Sequence, residues 1–102
     1  MRRIVRSRTY FAQLRILLEH GSEVFGTAVA ERTLARIDHV IERHLAQFPK
    51  KPVDRQLGLS VFAILRTPFV LIYDFDDSEL RVHFIVPMRQ DRKRIDPKSV
   101  EW

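Results

Sequence analysis

Residues 59–86, LSVFAILRTPFVLIYDFDDSELRVHFIV, decide the fold. From Leu59 onward the apolar residues stop recurring at every third or fourth position and begin to alternate. That is the two-residue period of a strand, whose side chains point to opposite faces in turn. Leu59, Val61, Ala63 and Leu65 point one way, and Ser60, Phe62 and Ile64 the other. Arg66-Thr67-Pro68 reads as a turn and residues 69–75 (FVLIYDF) as a second strand. The acidic turn Asp76-Asp77-Ser78-Glu79 then leads to a third strand at 80–86 (LRVHFIV). Strands joined by such short turns pair antiparallel with their neighbours, so the stretch predicts a three-strand meander.

Upstream the period is helical. Residues 2–6 (RRIVR) suit a short first strand, and Ser7 is placed to cap a helix. Between Arg8 and Phe25, Tyr10, Leu14, Leu17, Leu18 and Phe25 fall on one stripe, with Gly21 among them, where another helix is expected to approach closely. Gly26 suits the left-handed position that ends a helix, and Thr27 is read as the cap of the next. In that second helix Ala30, Leu34, Ile37, Ile41, Leu45 and Phe48 follow steps of three and four, while Arg32, Arg36, Glu42 and Arg43 occupy the other side. Pro49 and Pro52 stop it, and residues 49–58 form a loop. The short link between the helices makes them an antiparallel hairpin. The expectation is a single α+β domain over residues 1–102: strand, helix hairpin and meander, with the helices packed on one face of the sheet.

The strands carry more apolar residues than one face needs. Phe69, Leu71, Tyr73, Phe75, Leu80, Val82, Phe84 and Val86 supply a core face, yet Phe62, Ile64, Val70, Ile72 and Ile85 fall on the other. An antiparallel sheet with one wet face alternates with polar residues there. Either a partner covers this second face, or the segment after residue 86 folds over it, or a bulge swaps the register.

A chain of 102 residues with 45% hydrophobic residues is able to pack a core, and a net charge of +5 favours acidic partners. Arg2, Arg3, Arg6 and Arg8, together with Arg89, Arg92, Lys93, Arg94 and Lys98, make half of the 18 lysines and arginines. The absence of cysteine excludes disulfides and thiolate metal sites. No apolar run approaches the ~20 residues that span a bilayer, and Ser7-Arg8-Thr9 interrupts any signal-peptide core. These features read as a cytoplasmic protein away from membranes. His20, His39, His44 and His83 lack ligand spacing, so no metal is expected. Gly21, Gly26 and Gly58 are too scattered for a phosphate loop, so no cofactor is expected. Tyr10 and Tyr73 lie on apolar stripes, which marks them as core residues rather than catalysts. The residues best suited to meet a target are Arg89, Arg92, Lys93 and Arg94, a run of guanidinium and ammonium groups directly after the last strand.

In their order and spacing, these segments resemble the ParE/RelE superfamily of type II toxin–antitoxin toxins, and the ParE branch more closely. The resemblance runs across nearly the whole chain. Leu14-Arg15-Ile16-Leu17-Leu18-Glu19-His20 through Phe25-Gly26 is similar to the family's first helix with its aromatic-glycine exit, and Leu45-Ala46-Gln47-Phe48-Pro49 to its second-helix stop. Leu57-Gly58-Leu59-Ser60-Val61-Phe62 and Phe69-Val70-Leu71-Ile72-Tyr73 are similar to its paired strands, and residues 80–91 to its closing strand with an Arg/Asp end. The resemblance implies a toxin that inhibits or poisons DNA gyrase without covalent chemistry of its own. A ParD-like antitoxin encoded beside it would wind along the helix hairpin and the second sheet face, at Phe62, Ile64, Val70, Ile72 and Ile85, and operator DNA would be reached only through that antitoxin. The alternatives are a RelE-like ribosome-dependent mRNA endonuclease using Arg89 and Arg92, and a non-catalytic degenerate toxin or nucleic-acid-binding module. Two departures weigh on the choice. Pro87-Met88 stands where ParE-like chains often carry His-Gly, and Ile95 stands near the tyrosine that RelE-like chains place after the arginine of the last strand. The second removes a group that RNA cleavage would use.

Overall fold

A computed structural model describes residues 1–102. Its centre is one sheet in which β1 (Arg3–Arg6) runs parallel to β5 (Glu79–Pro87) at one edge. Next to β5 come β4 (Phe69–Phe75), β3 (Leu59–Ala63) and the two-residue β2 (Val53–Asp54), each antiparallel to its neighbour. The α+β architecture and the meander are as expected. The edge strand β2, inside the segment expected to be loop, is an addition.

The helices α1 (Arg8–Phe25) and α2 (Thr27–His39) pack on one face of this sheet. Ser7 caps α1, its Oγ accepting the Tyr10 N–H at 2.8 Å. Gly26 turns the chain at φ 92°, a conformation open to glycine at little cost. Thr27 is the first residue of α2 rather than its cap, and Gly26 takes the capping position. Gly21 does not mark a helix contact: nothing lies within 4 Å of where its Cβ would sit.

Beyond His39 the helix widens into a π-helical segment, Val40–Leu45, and the Ala46 N–H reaches back five residues to the Ile41 carbonyl at 3.1 Å. The wider turn shifts the apolar stripe by about one position. Ile37, Ile41, Leu45 and Ala46 are fully buried, while Phe48, the last residue of the expected stripe, is 62% exposed.

The helix face is packed by Tyr10, Leu14, Ile37, Ile41, Leu45 and Ala46 against Ile64, Leu71, Tyr73, Leu80, Val82 and Ile85, with Phe62, Phe69 and Phe75 at its margin. Two features reassign residues relative to simple alternation. Phe62 pairs with Leu71 and Val61 with Ile72, so Phe62 and Ile64 share the face of Leu71, not the opposite one. In β5 the register passes from Val82 opposite Tyr73 to Phe84 opposite Ile72, leaving His83 as the extra residue of a bulge. The bulge moves Ile85 to the helix face and sends Phe84 and Val86 to the other.

The second face holds Leu57, Leu59, Val70, Ile72, Phe84 and Val86, and the C-terminal segment lies across it through Ile95 and Val100. Two short 3-10 turns, Arg92–Arg94 and Pro97–Ser99, carry this segment, capped by the Asp91 and Asp96 carboxylates. At its end the Glu101 carbonyl accepts the N–H groups of Arg8 (2.7 Å) and Thr9 (3.3 Å), satisfying donors left open at the start of α1. The Glu101 N–H donates to Thr9 Oγ1 at 2.8 Å, and the Trp102 ring stands edge-on to His83 at 4.7 Å. Of the three possibilities for the second face, the structure realises two together, the bulge and the folded-over tail.

Candidate functional site

Three places bear on the expected roles: the basic end after β5, the outer side of the helix hairpin, and a charged ladder on β4 and β5.

At the basic end, Met88 is fixed by donating its N–H to the Pro68 carbonyl at 2.7 Å, and Asp91 Oδ1 accepts the Lys93 N–H at 3.0 Å. The four expected target-binding residues separate into two kinds. Arg89, Lys93 and Arg94 are exposed and make no ion pair. Arg92 is half-buried and donates from Nε to Asp54 Oδ2 at 3.2 Å, which ties the tail to the edge strand. The Leu57 N–H, the Arg92 guanidinium and the Gln56 N–H together hold the Asp54 carboxyl below the ordinary range, against the opposing effect of burial. A shallow hollow of about 340 Å³ lies here, lined by Asp54, Gln56, Met88, Gln90, Asp91, Arg92 and Lys93. It presents charge and hydrogen-bonding groups but no histidine or tyrosine, and Asp91 is engaged as a turn cap. Ile95 packs toward the second face instead of lining this hollow.

The five residues expected to meet an antitoxin do not form one surface. Val70 and Ile72 lie on the second face, covered by the tail, whereas Phe62, Ile64 and Ile85 lie on the helix face. Ile64, Val70, Ile72 and Ile85 are each at most 2% exposed. The strand pairing, the bulge at His83 and the tail account for the difference.

The exposed apolar surface lies elsewhere. Phe11, Ile16, Val24 and Phe25 on α1 face solvent, although Phe25 belongs to the stripe read as core. Between the hairpin and the β3–β4 turn, an apolar cleft of about 510 Å³ is lined by Leu17, Leu18, Phe25, Val29, Phe69 and Pro87, among others. Arg66 stands on its wall at φ 65°. A non-glycine residue held left-handed is strained by about 1–2 kcal/mol. An adjoining hollow of about 220 Å³ brings Arg32 and Arg36 beside Arg66. A second groove, about 430 Å³, runs between the helices along Phe11, Leu14, Leu18 and Leu34. The amphipathic pattern alone does not separate these residues from the core, because the helices carry a wider apolar stripe than the sheet covers.

The ladder on β4 and β5 is a network of paired charge. Arg81 donates to Asp74 (3.0 Å), Asp76 (2.9 Å) and Glu79 (3.0 Å), and Glu79 also pairs with Arg3. His83 Nε2 lies 3.0 Å from Asp74 Oδ1, while its buried Nδ1 has no partner. Burial pushes the Asp74 carboxyl up, but the hydrogen bonds from Arg81 and His83 outweigh it and leave it below the usual value. Arg81, then the Ser78 and Glu79 N–H groups, hold Asp76 lower still.

The two tyrosines are buried. The Tyr10 phenol is pushed up to about 12, by burial above all, against the pull of the Arg6 guanidinium; its hydroxyl has no partner in hydrogen-bonding geometry. Tyr73 is raised further by burial and donates to the Pro49 carbonyl at 2.7 Å. No group of three or more His, Asp or Glu side chains is placed to hold a metal ion, and no helix is long and apolar enough to cross a membrane.

No protein-family model matches the chain, and no curated protein is similar to it in sequence. Among solved structures, a chain described as the chromosomal ParDE TA system from P. aeruginosa superimposes with a TM-score of 0.73 at 19% identity. The match covers 85% of this chain and 96% of that one. The strand, helix hairpin and meander built around residues 59–86 are therefore the fold of a chain from a ParDE toxin–antitoxin system.

Proposed function

We propose that residues 1–102 are one ParE-like toxin domain of a type II toxin–antitoxin module, acting in the cytoplasm and neutralised by a ParD-like antitoxin. The likeness to a ParDE chain, spanning 96% of that chain, carries the reading. The exposed apolar side of the hairpin supports it, because an amphipathic segment needs apolar anchors flanked by charge. The cleft lined by Leu17, Phe25 and Phe69, with Arg66, Arg32 and Arg36 beside it, supplies both. In this reading the antitoxin lies along the hairpin, and reaches Val70 and Ile72 only by lifting the tail from the second face. Operator DNA is contacted by the antitoxin, not by this chain.

The target is DNA gyrase, gripped through Arg89, Lys93 and Arg94, with Arg92 holding the segment in place through Asp54. Expression of the chain alone in bacteria should arrest growth, and co-expression of the protein encoded beside it should restore growth. Inhibition of gyrase supercoiling supports this target. Cleavage of translated mRNA would move the reading to a RelE-like endonuclease, and unimpaired growth would remove the toxin reading in favour of a silent binding module. Replacing Arg89, Lys93 and Arg94 together by Ser should abolish growth arrest with the fold intact, since exposed substitutions change stability by only about 0.5 kcal/mol.

A further inference from the structure

The end of the second helix presents an exposed aromatic ring, fixed by its own backbone, with cations close by in sequence that form no ion pair and that the toxin reading does not use. Phe48 is 62% exposed, yet it is not on a loose loop. Its N–H donates to the His44 carbonyl at 2.8 Å, and the next carbonyl, that of Pro49, is pinned by the buried Tyr73 hydroxyl at 2.7 Å. The His44 ring lies 6.1 Å from Phe48 and 5.4 Å from Phe62, tilted by about 40° to each, and Lys51 Nζ stands 5.2 Å above the Phe62 ring. Burial first, and Lys51 second, hold His44 below its ordinary pKa, so its ring is a neutral plane at pH 7.

Residues 43–53, RHLAQFPKKPV, contain no carboxylate. Arg43, Lys50 and Lys51 are outside every ion pair, and Arg43 and Lys50 are exposed. The acids that bracket the stretch are engaged elsewhere, Glu42 with Arg6 at 3.7 Å and Asp54 with Arg92 at 3.2 Å. The Asp54–Arg92 pair also joins this edge to Lys93 at the basic end.

We propose that this edge binds single-stranded nucleic acid, with bases stacking on Phe48 beside His44 and the phosphate backbone following Arg43, Lys50 and Lys51. Single-strand sites combine these two elements: an exposed aromatic face, tolerant of sequence, and cations that track the backbone. A protein anchor fits less well, because the exposed residues that flank Phe48 in sequence, Gln47 and Lys50, are polar and add no apolar surface to it. The site stands apart from the toxin reading, in which nucleic acid is reached only through the antitoxin.

The test is fluorescence anisotropy of a labelled oligothymidylate of about 12 nucleotides, within the range of single-strand site sizes, and of its oligouridylate counterpart, across a salt series. Wild type should bind, with log K falling linearly in log salt. Phe48→Ala should weaken binding by about tenfold and Phe48→Leu nearly as much, while Phe48→Trp should retain it. Lys50→Gln with Lys51→Gln should reduce the salt slope by about 1.4, from ~0.7 per cation on a single strand. Comparison of the two oligonucleotides distinguishes DNA from RNA as the preferred strand. Three results would each overturn the proposal: no binding at low salt, Phe48→Leu binding as well as wild type, or polyglutamate competing as effectively as the oligonucleotide. Because Phe48 is exposed, these variants should give an unchanged circular dichroism spectrum. If Phe48→Ala alone misfolds, the Trp–Leu comparison carries the test.

Discussion

The two faces of the sheet are sealed in different ways. The helix face is closed by two amphipathic helices that bring Tyr10, Leu14, Ile37, Ile41 and Leu45 onto Leu71, Tyr73, Leu80 and Val82. The second face is closed by a short irregular tail contributing two half-buried apolar side chains, Ile95 and Val100, and held at its end by backbone bonds to the first turn of α1. One cover is broad and locked by interdigitated packing. The other rests on few contacts, so it is the part expected to open first. Both covers converge on the start of α1. Ser7 caps that helix and donates its hydroxyl to the carbonyl of the bulged His83 at 2.6 Å. Gln13 accepts the Ile85 N–H at 2.9 Å, so two side chains of this region replace the strand partner that β5 loses beyond β1.

The largest difference is expected in the core. Leu71→Ala on the helix face should cost about 2–5 kcal/mol in urea unfolding, the range for buried leucines. Replacing both Ile95 and Val100 by Ala should cost only about 2 kcal/mol in total, scaled for partial burial. It should also speed hydrogen exchange in β4 and β5 more than in α2, and equal exchange in all three would show that the faces open as one. Ser7→Ala should cost about 1–2 kcal/mol, because it removes a helix cap and leaves the His83 carbonyl without that donor.

The charged ladder at the polar end of the second face adds a pH signature. Asp74, Asp76 and Glu79 are all held below their ordinary values, so the folded chain resists their protonation more than the unfolded chain does. Their contribution is complete above the unfolded carboxylate value near 4 and is lost as pH falls through the folded values. Arg81→Gln should therefore be less stable than wild type at neutral pH, with the gap narrowing below about pH 4. A gap independent of pH would mean that Arg81 acts through packing alone. The smallest effect belongs to Tyr10→Phe. Because its buried hydroxyl meets only the Arg6 guanidinium, outside hydrogen-bonding geometry, the change should stay within about 1 kcal/mol of wild type in thermal unfolding.

Much of this was legible in the chain. The alternation from Leu59 located three strands to within a residue or two, and Ser7 and Gly26 marked the ends of α1 because each has a local conformational reason to be there. The fate of the basic run was legible only in part. Arg89, Lys93 and Arg94 are exposed as their charge suggests, but the pairing of Arg92 with Asp54 joins positions 38 residues apart. The pairing of β1 with β5 joins still more distant segments and leaves no local trace. The apolar clefts of the hairpin were hidden for another reason: a helical stripe reports that a side chain is apolar, not whether the sheet is wide enough to cover it.

Periodicity, caps and turns are properties of neighbouring residues, so the two helices, the four longer strands and their order could be read from the chain, whereas the edge strand β2, the π-helical turn and the 3-10 turns of the tail could not. Long-range packing set which strand face meets the helices, where β5 slips at His83, and why Phe48 points outward while Ile85 points in. A single bulged residue reverses every strand side chain beyond it, and one widened helical turn rotates the apolar stripe beyond it by about one position; whether either forms depends on partners such as Ser7, Gln13 and Tyr73, which the fold brings together from distant parts of the chain.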